Sequence, residues 1–187
     1  IYTHPKGVQG PWAQVSFDRP YGRESQFAGI VNDPLTMGSG EFLPFEFPLA
    51  YWMEQQGYDV TYCSNSDCVD AAQLTRAKAF LSVGHDEYWD PRQYDAVKAA
   101  IADGVNVLWL TGNAVFGVTP FSPAPDGRPN RVIERVGHFG GLTDAEVGQV
   151  RKVFSDDYRR AGPDESAIIG ARTVVPFNGG GDWICTR

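Results

Sequence analysis

Apolar positions between Phe47 and Gln56 fall at Leu49, Trp52 and Met53, a helical spacing that Gly57 is suited to end. Tyr58 to Tyr62 follows with aromatic and β-branched residues and predicts a strand. Val69 to Arg76 predicts a short helix, and the apolar run Ala79 to Val83 a buried strand. Asp90 is placed to cap the next helix, with Pro91 at its first position and Gln93 completing a capping box. That helix turns Tyr94, Val97 and Ile101 inward and ends at Asp103-Gly104, before a strand over Val105 to Leu110. Beyond residue 117 the pattern loosens. Pro120 to Pro129 is a proline-rich loop, and Gly137 to Gly141 and Gly179 to Gly181 are glycine turns. A helix over Asp144 to Val153 and a strand over Arg172 to Val175 complete the expectation, with no internal repeat.

Strands separated by helices of this length need crossovers, and crossovers make a parallel sheet. The expectation is therefore an α/β domain spanning 1–187 with a βαβαβ core at about 47–117. In such a sheet the carboxyl ends of the strands share one rim, where ligands bind. Cys63, the Gly84 to Trp89 segment and Thr111-Gly112-Asn113 are expected to line it together.

The rim segment Gly84-His85-Asp86-Glu87-Tyr88-Trp89 holds an imidazole, two carboxylates and a phenol in four consecutive residues. All three group types are ligands for ferric iron or another transition ion, and a bound ion can activate water for hydrolysis. The plainer alternative is capping with solvated charge, since carboxylates are favoured at helix N-termini. His138 sits between glycines, as a second imidazole candidate or as a structural residue. Other chemistries lose ground. There is no Gly-x-Ser-x-Gly elbow, phosphate loop, dinucleotide fingerprint or His-Glu-x-x-His. Gly112-Asn113-Ala114 offers no nucleophile after its strand.

Composition narrows the partners. A net charge of −7 without a basic cluster argues against nucleic acid, and no apolar run approaches the ~20 residues of a membrane span. The hydrophobic share of 42% suits a folded core. Cys63 and Cys68 are spaced either for a short-loop disulfide in a secreted protein or as reduced thiols, so cytoplasmic and secreted locations both stay open. Aromatic and apolar residues near both ends suggest a fragment of a longer polypeptide.

Several stretches together resemble one family: Trp52 to Val60, Ser82 to Trp89, and Asp103 to Asn106 with Gly112-Asn113. Ser16 to Tyr21 and Gly179 to Trp183 fit the same pattern. The resemblance is to the C-terminal domain of the N,N-dimethylformamidase large (beta) subunit and its relatives. It implies a three-layer α/β sandwich with a mostly parallel central sheet, similar to class I glutamine amidotransferases and to flavodoxin. It further implies an iron-dependent amidohydrolase with a mononuclear ferric, Fe(III), centre held by two tyrosinates and a glutamate. Tyr88 matches one tyrosine, Tyr51 is the candidate for the other, and the Gly137 to Leu142 turn offers His138 where the family has a carboxylate.

The function expected on these grounds is metal-dependent hydrolysis of a C–N amide bond in a small substrate. Tyr88 is a metal ligand with His138 or Glu87 as a second, and His85, Asp86 and Glu87 are the catalytic candidates. Further domains or subunits are among the expected partners. The competing expectation is a non-catalytic α/β module of a larger secreted or surface protein. Its exposed aromatics, Trp12, Tyr21 and Trp89, would bind a glycan or a neighbouring domain. A third is a small-molecule-binding protein built on the same rim.

Overall fold

A computed structural model describes residues 14–18, 42–140 and 160–171. Their elements run β1 (Val15–Ser16), a π-helical turn (Phe42–Glu46), α1 (Phe47–Gln55), a 3-10 turn (Asp67–Val69) and α2 (Ala71–Leu74). β2 (Ala79–His85), β3 (Tyr88–Trp89), α3 (Pro91–Ala102) and β4 (Asn106–Gly112) form the centre. Short strands β5 (Gly117–Val118), β6 (Phe121–Ser122), β7 (Val132–Ile133) and β8 (Gly137–His138) follow, then α4 (Ser166–Ile169).

One βαβ unit forms as the crossover rule requires. β2 and β4 pair in parallel from Ala79↔Asn106 to His85↔Gly112, with α3 between them in sequence. α3 starts where Asp90 accepts from the Arg92 N–H and Pro91 occupies the first turn. The expected capping box does not close: Gln93 is fully buried, and neither atom of its amide has a hydrogen-bond partner among the described residues. Tyr94 and Val97 are buried as the spacing predicts, while Ile101 is half-buried. Tyr94 stacks on Phe139 at 5.3 Å, and Trp89 lies against Trp109 at 5.7 Å, so α3, β3 and β4 share one core. Each such large apolar side chain contributes about 1.5–3 kcal/mol on burial.

The larger architecture differs from the expectation. Among the described residues there are three small sheets: parallel β2–β4, antiparallel β1–β7–β6, and mixed β3–β5–β8. This is not a three-layer sandwich with a mostly parallel central sheet, and the likeness to glutamine amidotransferases and flavodoxin in architecture falls with it. The reason begins at Tyr58–Tyr62, which joins no ladder among the described residues. Its aromatics turn back on α1 instead: Tyr58 packs on Trp52 at 5.8 Å, and the Tyr62 hydroxyl donates to Glu54. β-propensity reports how well a side chain fits a half-buried pleated surface, and Tyr58 and Tyr62 have none to fit, remaining 56% and 63% exposed. The expected βαβαβ core therefore loses its first strand. The expected helix at Asp144–Val153, the strand at Arg172–Val175 and the Gly179–Gly181 turn lie outside the described residues.

Candidate functional site

β2 ends by turning sharply. Gly84 has φ +81°, a left-handed conformation that glycine tolerates, and the Glu46 carboxylate lies where a Cβ would stand. The turn delivers Asp86 into a ring of partners. Its N–H donates to Thr111 Oγ1 at 2.7 Å, while its carboxylate accepts from Asn65 Nδ2 (2.8 Å) and Ser82 Oγ (2.7 Å). Its carbonyl takes the Val115 N–H and the Trp89 indole N–H. Burial raises the Asp86 pKa, and the bonds from neutral Asn65 and Ser82 offset this only in part. With both carboxylate oxygens engaged, Asp86 organises the rim rather than presenting a base.

Of the rim expected at the strand ends, the part carried by β2 and β4 is joined by hydrogen bonds. Asn65 from the Cys63–Cys68 loop, Asp86 and Thr111 are joined by hydrogen bonds, and the His85 ring lies over Gly112, 3.0 Å from where a Cβ would be. The His85 side chain is 35% exposed, with Nδ1 3.7 Å from Oε2 of buried Glu87. Val115, buried at φ +51°, and Asn113 at φ +50° bend the chain after β4. A β-branched residue in that region costs of order 1–3 kcal/mol, and such strain concentrates at functional sites.

A second cluster lies deeper. The carbonyl of Glu87 accepts the Phe116 and Gly117 N–H groups, which sets β3 beside β5. Gly117 is the register partner of both Tyr88 and His138, so the three form one row across β3, β5 and β8. The Tyr88 ring fills the place of the missing side chain: its Cδ1 is 2.8 Å from where a Gly117 Cβ would stand, with Arg135 Cδ 3.6 Å from the same point. Arg135 Nη2 then meets His138 Nε2 at 3.0 Å, and the Phe116 ring packs on the imidazole at 4.2 Å. A guanidinium has only donors, so in this contact Nε2 of the fully buried imidazole is the acceptor. Glu165, 1% exposed at the start of α4, brings its carboxylate onto Gly140, two residues beyond His138.

Comparison with protein families bears on this arrangement. The family described as N,N-dimethylformamidase beta subunit-like, C-terminal, matches residues 1–184. The chain belongs to that family. No curated protein and no solved structure matches it. Membership of the dimethylformamidase-like family relates its function, at a coarse level, to hydrolases of the amidohydrolase kind.

The structure brings Tyr88 and His138 together across Gly117, and His85 beside Glu87. Asp86 stands apart from both pairs, bonded to Ser82 and Asn65. Tyr51 lies on α1, 52% exposed, with its hydroxyl accepting from Gln55. Trp89, expected as an exposed aromatic, is completely buried and cannot serve a surface platform, because β3 turns it under Tyr88 into the core. Trp12 and Tyr21 lie outside the described residues. Arg135, Glu165 and Asn65 escaped the sequence reading: each is a lone polar residue outside any motif, brought in by folding. For Asn65 alone there was a faint signal, the turn-forming Ser64 to Asp67 run between two cysteines.

Proposed function

We propose that this chain carries the reactive centre of an N,N-dimethylformamidase-related hydrolase, which cleaves the C–N bond of a small amide. The single observation that carries the reading is the row Tyr88–Gly117–His138 with Arg135 laid beside it. It gathers a phenol, an imidazole and a guanidinium about a position that has no side chain of its own.

The resident cofactor in this reading is a mononuclear ferric ion. The donor chemistry fits in kind: the Tyr88 phenol and the buried Glu165 carboxylate are oxygen donors suited to ferric iron. Glu165 supplies the carboxylate that the Gly137–Gly141 turn lacks in its own sequence. His138 turns Nε2 to Arg135, so that nitrogen orients the guanidinium instead of holding a cation. When bound, the ion would polarise the amide carbonyl and lower the pKa of water.

The chain's own groups divide the remaining work. His85 is the general base: Glu87 faces Nδ1 and favours the tautomer protonated there, which leaves Nε2 to take a proton from water and return it to the departing amine. Asp86 holds the turn that carries His85 and Tyr88. Arg135 places positive charge where the carbonyl oxygen gains negative charge. The family is described by a beta subunit, and we infer that further domains or subunits work with this chain.

The experiment is to purify the full-length protein from iron-replete cells, then measure iron, visible absorption and release of dimethylamine from N,N-dimethylformamide. Tyr88→Phe should lose iron, colour and hydrolysis with its circular dichroism unchanged. Full hydrolysis by folded Tyr88→Phe would overturn the reading.

A further inference from the structure

Cys63 and Cys68 bracket a loop, and that loop carries Asn65 to the rim. Their Sγ atoms stand 3.4 Å apart, Cys63 at the surface and Cys68 in the core cluster. Between them the chain is drawn tight by Asp67, whose carboxylate accepts from the Ser64 N–H (2.8 Å) and Oγ (2.7 Å). The Ser64 carbonyl accepts in turn from the N–H groups of Asp67 and Cys68. Asn65, at the head of this loop, donates to the Asp86 carboxylate at 2.8 Å and to the Tyr88 carbonyl at 3.3 Å. The residue that ties Asp86 to Tyr88 is thus suspended between two thiols in contact.

We propose that Cys63 and Cys68 are a reversible dithiol–disulfide pair, and that forming the disulfide tightens the hold of Asn65 on Asp86 and Tyr88. A disulfide needs the sulfurs about 1.4 Å closer than this contact, a change within reach of the exposed Cys63 side chain. The two thiols are unequal. The hydrogen bond from Cys68 lowers the Cys63 pKa to about 7 against the pull of burial and the Asp67 and Asp86 carboxylates. The same hydrogen bond, with burial, pushes Cys68 far up. Cys63 is therefore the attacking thiolate and Cys68 the resolving thiol.

The oxidant is a low-molecular-weight disulfide such as oxidised glutathione. The Cys63 thiolate attacks one of its sulfurs and expels one glutathione thiolate, leaving a mixed disulfide. Cys68, losing its proton to solvent, attacks Cys63 Sγ and expels the second glutathione. Two protein thiols lose two electrons and two protons, and one small disulfide becomes two thiols. Neither cysteine belongs to the Tyr88–His138 row, so this chemistry stands whether or not that row cleaves amides.

The test equilibrates the full-length protein in glutathione buffers from reducing to oxidising, traps free thiols with an alkylating reagent and maps them by mass spectrometry. Expected is an internal Cys63–Cys68 disulfide that dithiothreitol reverses and that Cys63→Ser cannot form. Hydrogen exchange at 64–68 and at 84–89 should slow by tenfold or more on oxidation. Thiols that both stay alkylatable at the oxidising end would overturn the pair, as would a bond to Cys185 in place of this one. Unchanged or faster exchange at 84–89 in the oxidised protein would overturn the link to the rim.

Discussion

Asp86 and Asp90 stand on either side of Tyr88, four residues apart, and their carboxyl groups are driven in opposite directions. Both suffer the same first influence, burial, which raises a carboxyl pKa. The Asp86 carboxylate accepts from neutral Asn65 and Ser82, and nearby His85 pulls the same way, yet burial wins. Asp90 meets the Arg92 guanidinium through two bonds at 2.9 Å, with the Arg92 and Phe121 N–H groups beside it, and these hold it below the usual value. The weight of burial and the set of donors together decide the sign. Asp90 is thus built to be an anion that fastens α3 to β6, whereas Asp86 is a hydrogen-bonding hub that resists ionisation. Tyr88 hangs between a fastener and a hub.

The sharpest way to separate that support from the chemistry is Tyr88→Phe, which removes one oxygen and touches neither aspartate. Hydrolysis of a small amide should fall about a thousandfold, roughly 4 kcal/mol of barrier, as for loss of a participating group. Chemical denaturation should show little change in stability. A large drop in stability with unchanged turnover would make Tyr88 part of the support.

Asp90→Ala should act in the opposite way. It removes the α3 cap and leaves the Phe121 N–H without its acceptor, at a cost of about 2–3 kcal/mol read from urea unfolding. The Arg92 pair adds little to this because its guanidinium side chain is half-exposed. Gly117→Ala probes the row itself: a Cβ there meets the Tyr88 ring at 2.8 Å, so the ring must shift. About 1–2 kcal/mol of stability is lost and turnover falls more than tenfold, the mark of a displaced reactive group.

How much of this was legible beforehand follows from the range of each interaction. The β2–α3–β4 unit was readable because its signals are local: an apolar strand, Asp90 with Pro91, a helical stripe and a second apolar strand. Two-residue strands such as β5 and β8 are too short to show a period, so the β3–β5–β8 sheet had no signature. Tyr58–Tyr62 had the composition of a strand but pairs with no strand among the described residues. In the site, His85 to Trp89 stood out as a dense polar run at a strand end, a position that marks ligand sites. Arg135 and Glu165 did not, because each reaches the site from a distant stretch of chain. Trp89 was misread because alternation in β3 sends it inward while Tyr88 stays half-buried above it.

The finest test of the comparison is pH, with protein stripped of metal by a chelator so that no cation biases the carboxylates. Asp86 binds its proton more tightly folded than unfolded, so protonation favours the fold. That stability is fully present below the unfolded value near 3.8 and is lost as pH rises through the higher folded pKa. Asp90 works in the other window: its stability is present above 3.8 and lost as pH falls through its depressed folded pKa. Asp86→Asn keeps the acceptor for Asn65 and can donate to Ser82 Oγ, so it preserves the hub without the titration. Wild type should therefore lose stability relative to Asp86→Asn as pH is raised from about 4 towards neutrality, and the two should run parallel below that. A gap that widens on acidification instead would mean that Asp86, like Asp90, is held as an anion and that the pull of His85 outweighs burial.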